Sequence, residues 1–147
     1  MNILFICTGN TCRSPMAEAL LRKMLPTINV KSAGIFANVG DTINPNAKTV
    51  LQEKNIQTDH SASLVTAELL GWADVVLTMT ESHKQLLSAQ FPNNQDQYYT
   101  FMEYIHQNNQ NDVLDIDDPF GQQLSVYRST LAQLEGSMPL LINKLQE

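Results

Sequence analysis

The stretch Asn2-Ile3-Leu4-Phe5-Ile6-Cys7-Thr8-Gly9-Asn10-Thr11-Cys12-Arg13-Ser14-Pro15 runs from an unbroken apolar segment through a short polar loop to a proline. Residues 2–6 have the length and β-prone character of a buried strand. Ser14 and Pro15 have the chemistry of a helix N-cap and first helical position. Beyond them Ala17, Leu20, Leu21 and Met24 form one apolar face at helical spacing, and Pro26 ends the helix. Strand, tight loop and helix in this order predict an α/β fold.

The rest of the chain continues the alternation. Residues 28–33 read as a second strand, and Asn44-Pro45 opens a helix with Ala47, Val50 and Leu51 on its apolar side. Thr66 caps a short helix through Leu70. Residues 74–79 form a third strand, residues 82–90 a helix and residues 98–101 a fourth strand. Residues 107–112 read as a polar loop. In the last helix Leu124, Tyr127, Leu131, Leu134, Met138, Leu141 and Leu145 keep one phase across Gly136 and Pro139. A proline in a helix interior costs about 3 kcal/mol, so a kink or a re-start is expected there. Strands separated by helices imply right-handed crossovers and a mostly parallel sheet. No repeat, linker or low-complexity tract divides the 147 residues, which read as one domain over 1–147.

Composition narrows the function. The net charge is −6 and no cluster of Lys and Arg occurs, which argues against nucleic acid as a partner. No stretch approaches the roughly 20 apolar residues of a membrane span. The run at residues 3–6 is too short for a signal-peptide core, so a cytoplasmic location is expected. Both cysteines, Cys7 and Cys12, fall in the first loop. Their spacing and a reducing compartment argue against a structural disulfide.

Ligands of parallel sheets bind beyond the carboxyl ends of the strands, which directs attention to the loop after the first strand. A helix N-terminus presents unpaired N–H groups and a positive dipole end to an anion. Gly9 and Asn10 tolerate left-handed backbone angles, so the loop can turn its amides toward one point. Arg13 offers a planar fork for two phosphate oxygens. Cys7, at the end of the strand, sits at the base of this cradle, where its thiolate is a nucleophile aimed at phosphorus. The Ser14 hydroxyl is placed to donate to that sulfur when it leaves, and Asn10 to bond across the loop. Thr8, Gly9, Asn10, Thr11, Cys12 and Ser14 are therefore the candidate phosphate-binding residues around Cys7 and Arg13. A Walker phosphate loop is excluded, since no Gly-Lys-Ser/Thr follows Gly9. The cysteines lack Cys-x2-Cys spacing, and His60, His83 and His106 are scattered, so no metal site is expected. Each histidine reads as a surface or core polar residue.

The Cys-x5-Arg-Ser loop resembles the signature loop of the low-molecular-weight protein tyrosine phosphatase family. The resemblance runs along nearly the whole chain. It includes Ser32-Ala33-Gly34, Asn44-Pro45-Asn46-Ala47, Ala73-Asp74-Val75-Val76-Leu77-Thr78-Met79 and Asp118-Pro119-Phe120-Gly121. It implies a four-stranded parallel sheet flanked by helices, phosphorylated proteins as substrates, and no metal or organic cofactor. It also implies that Asp118, the residue before Pro119, is the general acid that protonates the leaving group and then the base that activates water. Phe120 is then a wall of the substrate cleft. A monomer is expected.

Thr11 bears on the substrate. Tyrosine-directed members usually carry an aliphatic residue there, whereas the loop Cys-Thr-Gly-Asn-Thr-Cys-Arg-Ser resembles that of bacterial protein-arginine phosphatases. A threonine hydroxyl can accept from a guanidinium N–H, which a phenyl ring does not offer. Leaving such a hydroxyl unpaired costs about 1–3 kcal/mol, enough for tenfold discrimination. The expected activity is thus phosphoarginine hydrolysis, with phosphotyrosine hydrolysis as the alternative. A thiol-coupled arsenate reductase shares the loop but needs further cysteines, and none follows Cys12. A non-catalytic phosphate-binding module is a poorer reading, because Cys7, Arg13 and Asp118 are all present.

Overall fold

The computed structural model describes residues 1–106 and 115–147, so the polar loop expected at 107–112 lies outside the described residues. Four parallel strands form one sheet in the order β2-β1-β3-β4. They are β1 (Asn2–Cys7), β2 (Asn29–Gly34), β3 (Val75–Thr78) and β4 (Tyr98–Thr100). β1 is central, with Cys7 opposite Gly34 on one side and Ile6 opposite Thr78 on the other. The order reverses at β1, so the crevice beyond its carboxyl end is the switch point of the sheet.

The pleat of β1 divides the core. Ile3, Phe5 and Cys7 pack with residues of α1 (Arg13–Met24), α2 (Pro45–Glu53), α5 (Phe101–Ile105) and α6 (Leu124–Leu145). Leu4 and Ile6 point the other way, toward Leu70 of α3 (Ala67–Trp72) and Leu87 of α4 (Glu81–Gln90). Residues 3–6 are fully buried, as expected of a central strand covered on both faces.

Local chemistry explains most boundaries. Asn44 accepts from Asn46 N with Pro45 in the first turn, and Thr66 accepts from Leu69 N. Thr80 accepts from His83 N and so starts α4 one residue before the expected position. The fourth strand is shorter than expected. Thr100 and Glu103 form a reciprocal capping box, which takes Phe101 into the unforeseen helix α5. Residues 92–97, unassigned in the sequence reading, form a 3-10 helix.

One further expectation needs correction. Helix α1 starts at Arg13 with Cys12 as its N-cap and no side-chain cap; the Ser14 hydroxyl is engaged elsewhere. Helix α6 runs past Gly136 as expected, one continuous element from Leu124 to Leu145 with Pro139 inside it and no re-start. Pro139 lies on the solvent side, where water can satisfy the Glu135 carbonyl that the proline leaves without a donor.

Candidate active site

Gly34 lets β2 approach the loop after β1. A Cβ on Gly34 would stand 2.5 Å from the Thr8 carbonyl oxygen and 2.9 Å from the Asn10 nitrogen. The chain beyond it is stitched to the loop by Ile35 N donating to Cys7 O and Phe36 N to Thr8 O, at 3.1 and 2.9 Å.

Asn10 organises the turn. Its φ is 58°, the left-handed region that Asn tolerates through local hydrogen bonding; Gly9 does not adopt it. Its side chain is fully buried. Nδ2 donates to Ser14 Oγ and Ser32 Oγ, both at 2.9 Å, and Oδ1 accepts from Ser63 N at 2.8 Å. The Asn10 carbonyl lies 2.6 Å from His60 Nε2. Ser32 in turn donates to Glu18 at 2.7 Å. The turn is therefore held by α1, β2 and the 60–63 segment together.

Cys7 Sγ lies 2.8 Å from Ser14 Oγ and receives the Asn10 amide at 3.3 Å. The sulfur thus has two hydrogen-bonding neighbours suited to an anionic thiolate. Arg13 is almost wholly buried. Its Nη1 donates to Ile116 O at 2.9 Å, and its Nη2 lies 3.5 Å from Asp118 Oδ2. The segment carrying Asp118 is anchored to the sheet by Ile116 N donating to Met79 O, and to α4 by Glu81 N donating to Asp115 Oδ1. Asp115 is thereby turned to a structural task. Asp118 itself is half exposed, and its Oδ1 accepts from Phe120 N at 3.0 Å.

These groups enclose a pocket of ≈ 180 Å³ lined by Cys7, Thr8, Gly9, Thr11, Cys12, Arg13, Asp118 and Phe120. Of the residues expected to surround the phosphate, Asn10 and Ser14 stand behind the loop instead of on the pocket wall; both are fully buried. Asp118, and not Asp117, is the carboxylate of the wall. Phe120 is largely exposed at the rim. Thr11 is tied to α2, its carbonyl accepting from Asn44 N at 2.9 Å.

Both cysteines are free thiols. Cys12 Sγ lies 3.5 Å from Tyr127 Oη. Burial pushes the Cys12 thiol and the Tyr127 phenol up, Tyr127 further because of its bond to Cys12. The first loop has one more partner, which carries no signal in the sequence. His83, on the first turn of α4, places Nε2 2.8 Å from Thr8 Oγ1. Burial, and then the charge of Arg13, lower its pKa to about 4. His60, Ser32 and Ser63 were likewise not assigned to the site. Each lies 22 to 53 residues from Asn10, and only the Ser32-Ala33-Gly34 segment carried a sequence signal.

The family model described as low molecular weight phosphotyrosine protein phosphatase matches residues 2–147. A protein-arginine-phosphatase of Geobacillus stearothermophilus is 45% identical over 98% of this chain and 95% of its own length. A low molecular weight protein-tyrosine-phosphatase, PtpB, of Staphylococcus haemolyticus is 39% identical over 91% of this chain and 92% of its own length. The solved structure of the YwlE arginine phosphatase, as a cysteine-to-serine mutant with a phosphorylated active-site serine, superimposes with a TM-score of 0.94. It is 40% identical, with 100% of this chain and 97% of that one covered.

Proposed function

This chain belongs to the low molecular weight phosphotyrosine protein phosphatase family, and from that premise we propose that it hydrolyses phosphoarginine in proteins through a phosphocysteine on Cys7. Its four-stranded parallel fold is that of the family, and it is a cysteine-dependent phosphatase of phosphorylated proteins, arginine- or tyrosine-directed. Residues 1–147 act as one catalytic domain.

The observation that carries the mechanism is the convergence of Cys7, Arg13 and Asp118 on one pocket. Arg13 clamps two phosphoryl oxygens. The Cys7 thiolate attacks phosphorus, the bond from phosphorus to the leaving nitrogen breaks, and Asp118 gives that nitrogen its proton. Asp118, now a carboxylate, takes a proton from water as the water oxygen attacks the phosphocysteine. Inorganic phosphate forms and the sulfur leaves as a thiolate, stabilised by the Ser14 hydroxyl 2.8 Å away. A phosphorylated serine at the active site of the YwlE mutant supports a covalent phosphoenzyme.

Three features support arginine. The protein-arginine-phosphatase of Geobacillus stearothermophilus shares 45% identity. Thr11 places a polar β-branched side chain on the pocket wall, where its hydroxyl can accept from a guanidinium N–H. The exposed ring of Phe120 at the rim offers a face on which a planar guanidinium stacks. The tyrosine reading draws on the PtpB relative at 39% identity.

Matched peptides carrying phosphoarginine or phosphotyrosine decide between them. Wild type is expected to prefer phosphoarginine, with Thr11→Ile losing about tenfold of that preference. Equal turnover of phosphotyrosine by wild type and Thr11→Ile, with phosphoarginine the poorer substrate, overturns the arginine assignment. Activity in Cys7→Ser equal to wild type overturns the covalent mechanism.

A further inference from the structure

Thr8 lines the pocket beside Cys7, and its hydroxyl has one side-chain partner among the described residues, Nε2 of His83 at 2.8 Å. His83 does not line the pocket and is only 5% exposed. Its backbone is set by the Thr80 cap, Thr80 Oγ1 accepting from His83 N at 3.1 Å, so the ring is delivered to the loop by the first turn of α4. We propose that His83 is a positioning residue, donating from Nε2 to the Thr8 oxygen and so aiming the Thr8 hydroxyl proton into the pocket at a phosphoryl oxygen. The proposal rests on the reading of this pocket as a phosphate site.

The direction of the bond follows from the other ring nitrogen. Burial and the nearby guanidinium of Arg13 keep the imidazole neutral at pH 7, so one nitrogen donates and the other accepts. Nδ1 is buried and has no hydrogen-bond partner among the described residues. A proton on Nδ1 would strand a buried donor, and orphaned buried N–H groups are rarer in proteins than under-used acceptors. The proton therefore belongs on Nε2. A hydroxyl that accepts from Nε2–H has its own proton left to give, and the pocket beside Cys7 is where that proton meets an anion. Fixing the hydroxyl in this sense adds a donor to the cradle whose orientation is set before phosphate arrives.

The test is inorganic phosphate affinity by calorimetric titration at pH 7 for wild type, His83→Leu, Thr8→Val and the double variant, with histidine tautomers read by nitrogen NMR. Phosphate affinity is measured without turnover, so failure of the phosphoarginine assignment leaves this result readable. Each single variant is expected to weaken phosphate about fivefold, the size of one ordinary hydrogen bond. The double variant is expected to lose no more than either single variant. His83→Gln, which keeps a side-chain donor, is expected to return within about twofold of wild type, as one retained hydrogen bond would allow. Wild-type His83 is expected to carry its proton on Nε2. Unchanged affinity in Thr8→Val, losses that multiply in the double variant, or a proton on Nδ1 would each overturn the proposal. If His83→Leu does not fold, Thr8→Val and the wild-type tautomer decide the matter alone.

Discussion

Ser14 Oγ lies 2.8 Å from Cys7 Sγ and is itself the acceptor of Asn10 Nδ2 at 2.9 Å. A hydroxyl that accepts from Asn10 has its single proton free for the sulfur. That order leaves the pair suited to a thiolate, which the proposed mechanism uses both before attack and as the phosphocysteine breaks.

Ser14→Ala removes the only side-chain donor to the sulfur among the described residues. Hydrogen bonds to charged groups are worth about 1.5–3 kcal/mol, so kcat is expected to fall by roughly 10- to 100-fold. The loss should fall mainly on breakdown of the phosphoenzyme. Rapid-quench kinetics should therefore show a burst of dephosphorylated product followed by a slower steady state than in wild type. A uniform rise in KM with unchanged kcat would contradict this.

Asn10→Ala tests the turn. Alanine at φ 58° is strained by about 1 kcal/mol. It also leaves Ser32, Ser14 and the Ser63 N–H without the partner they have now. Denaturant unfolding should show a stability loss of about 2–4 kcal/mol. Asn10→Gly relieves the strain alone and should recover only the smaller part.

The contrast between Asn10 and its partners explains what was legible in the sequence. Strand β1, the loop and α1 are contiguous, and each carries a local signal: an apolar run, a Gly-Asn turn and a Ser-Pro start. The Asp118-Pro119 pair is local too. The Ser-Pro pair offers the Ser14 hydroxyl both as a helix cap and as a sulfur partner; because α1 already starts at Arg13, Ser14 falls inside the helix and its hydroxyl lies against Cys7 Sγ instead. His83, His60 and Ser63 reach the loop only through the tertiary fold, 75 residues away in the case of His83 and Thr8. No periodicity or spacing marks such contacts. Helix α5 is five residues long, too short for a hydrophobic period, and its one sequence cue is the Thr100–Glu103 capping box.

Asp118→Asn keeps the shape of the segment, since an amide oxygen can still accept from Phe120 N. It removes the transferable proton. Proton transfer of this kind contributes typically 10²–10⁴-fold. The loss in kcat/KM should be of that order for a peptide substrate and much smaller for an aryl phosphate whose leaving group needs no proton. Equal losses on both substrates would assign Asp118 to holding Arg13, 3.5 Å away, and not to proton transfer.

His83 predicts an acid-side loss of stability. Its pKa in the folded protein is about 4, below the ordinary value of 6.5, because burial first and the Arg13 charge second oppose the imidazolium; Asp118 and Asp115 oppose this only in part. The unfolded chain therefore binds the extra proton more readily than the folded one. By linkage, stability is undiminished above pH 6.5 and falls as the pH drops from there toward 4. The loss from this residue should reach about 3 kcal/mol by pH 4. Urea unfolding of wild type and His83→Gln at pH 7, 5.5 and 4.5 checks the sign: the variant should show the shallower decline. A steeper decline in the variant would mean that the ring binds its proton more tightly when folded.

Gly34→Ala isolates the close approach of β2 to the loop. The new methyl carbon would sit 2.5 Å from Thr8 O, 2.9 Å from Asn10 N and 3.0 Å from the Ala37 Cβ. Two of these are backbone atoms, which cannot rotate away as a side chain would. Either β2 or the loop must move by several tenths of an ångström, and overpacking of this kind costs about 1–3 kcal/mol. Moving the loop shifts Thr8 and Asn10, and with Asn10 the amide that points at Cys7 Sγ. The substitution is therefore expected to lower kcat/KM by more than tenfold while leaving most of the protein folded at 25 °C. Circular dichroism melting together with phosphopeptide turnover separates the two effects. If activity survives while stability falls, β2 has yielded and the loop has not, which would make the Asn10 bonds to Ser32 and Ser63 the stiffer part of the site.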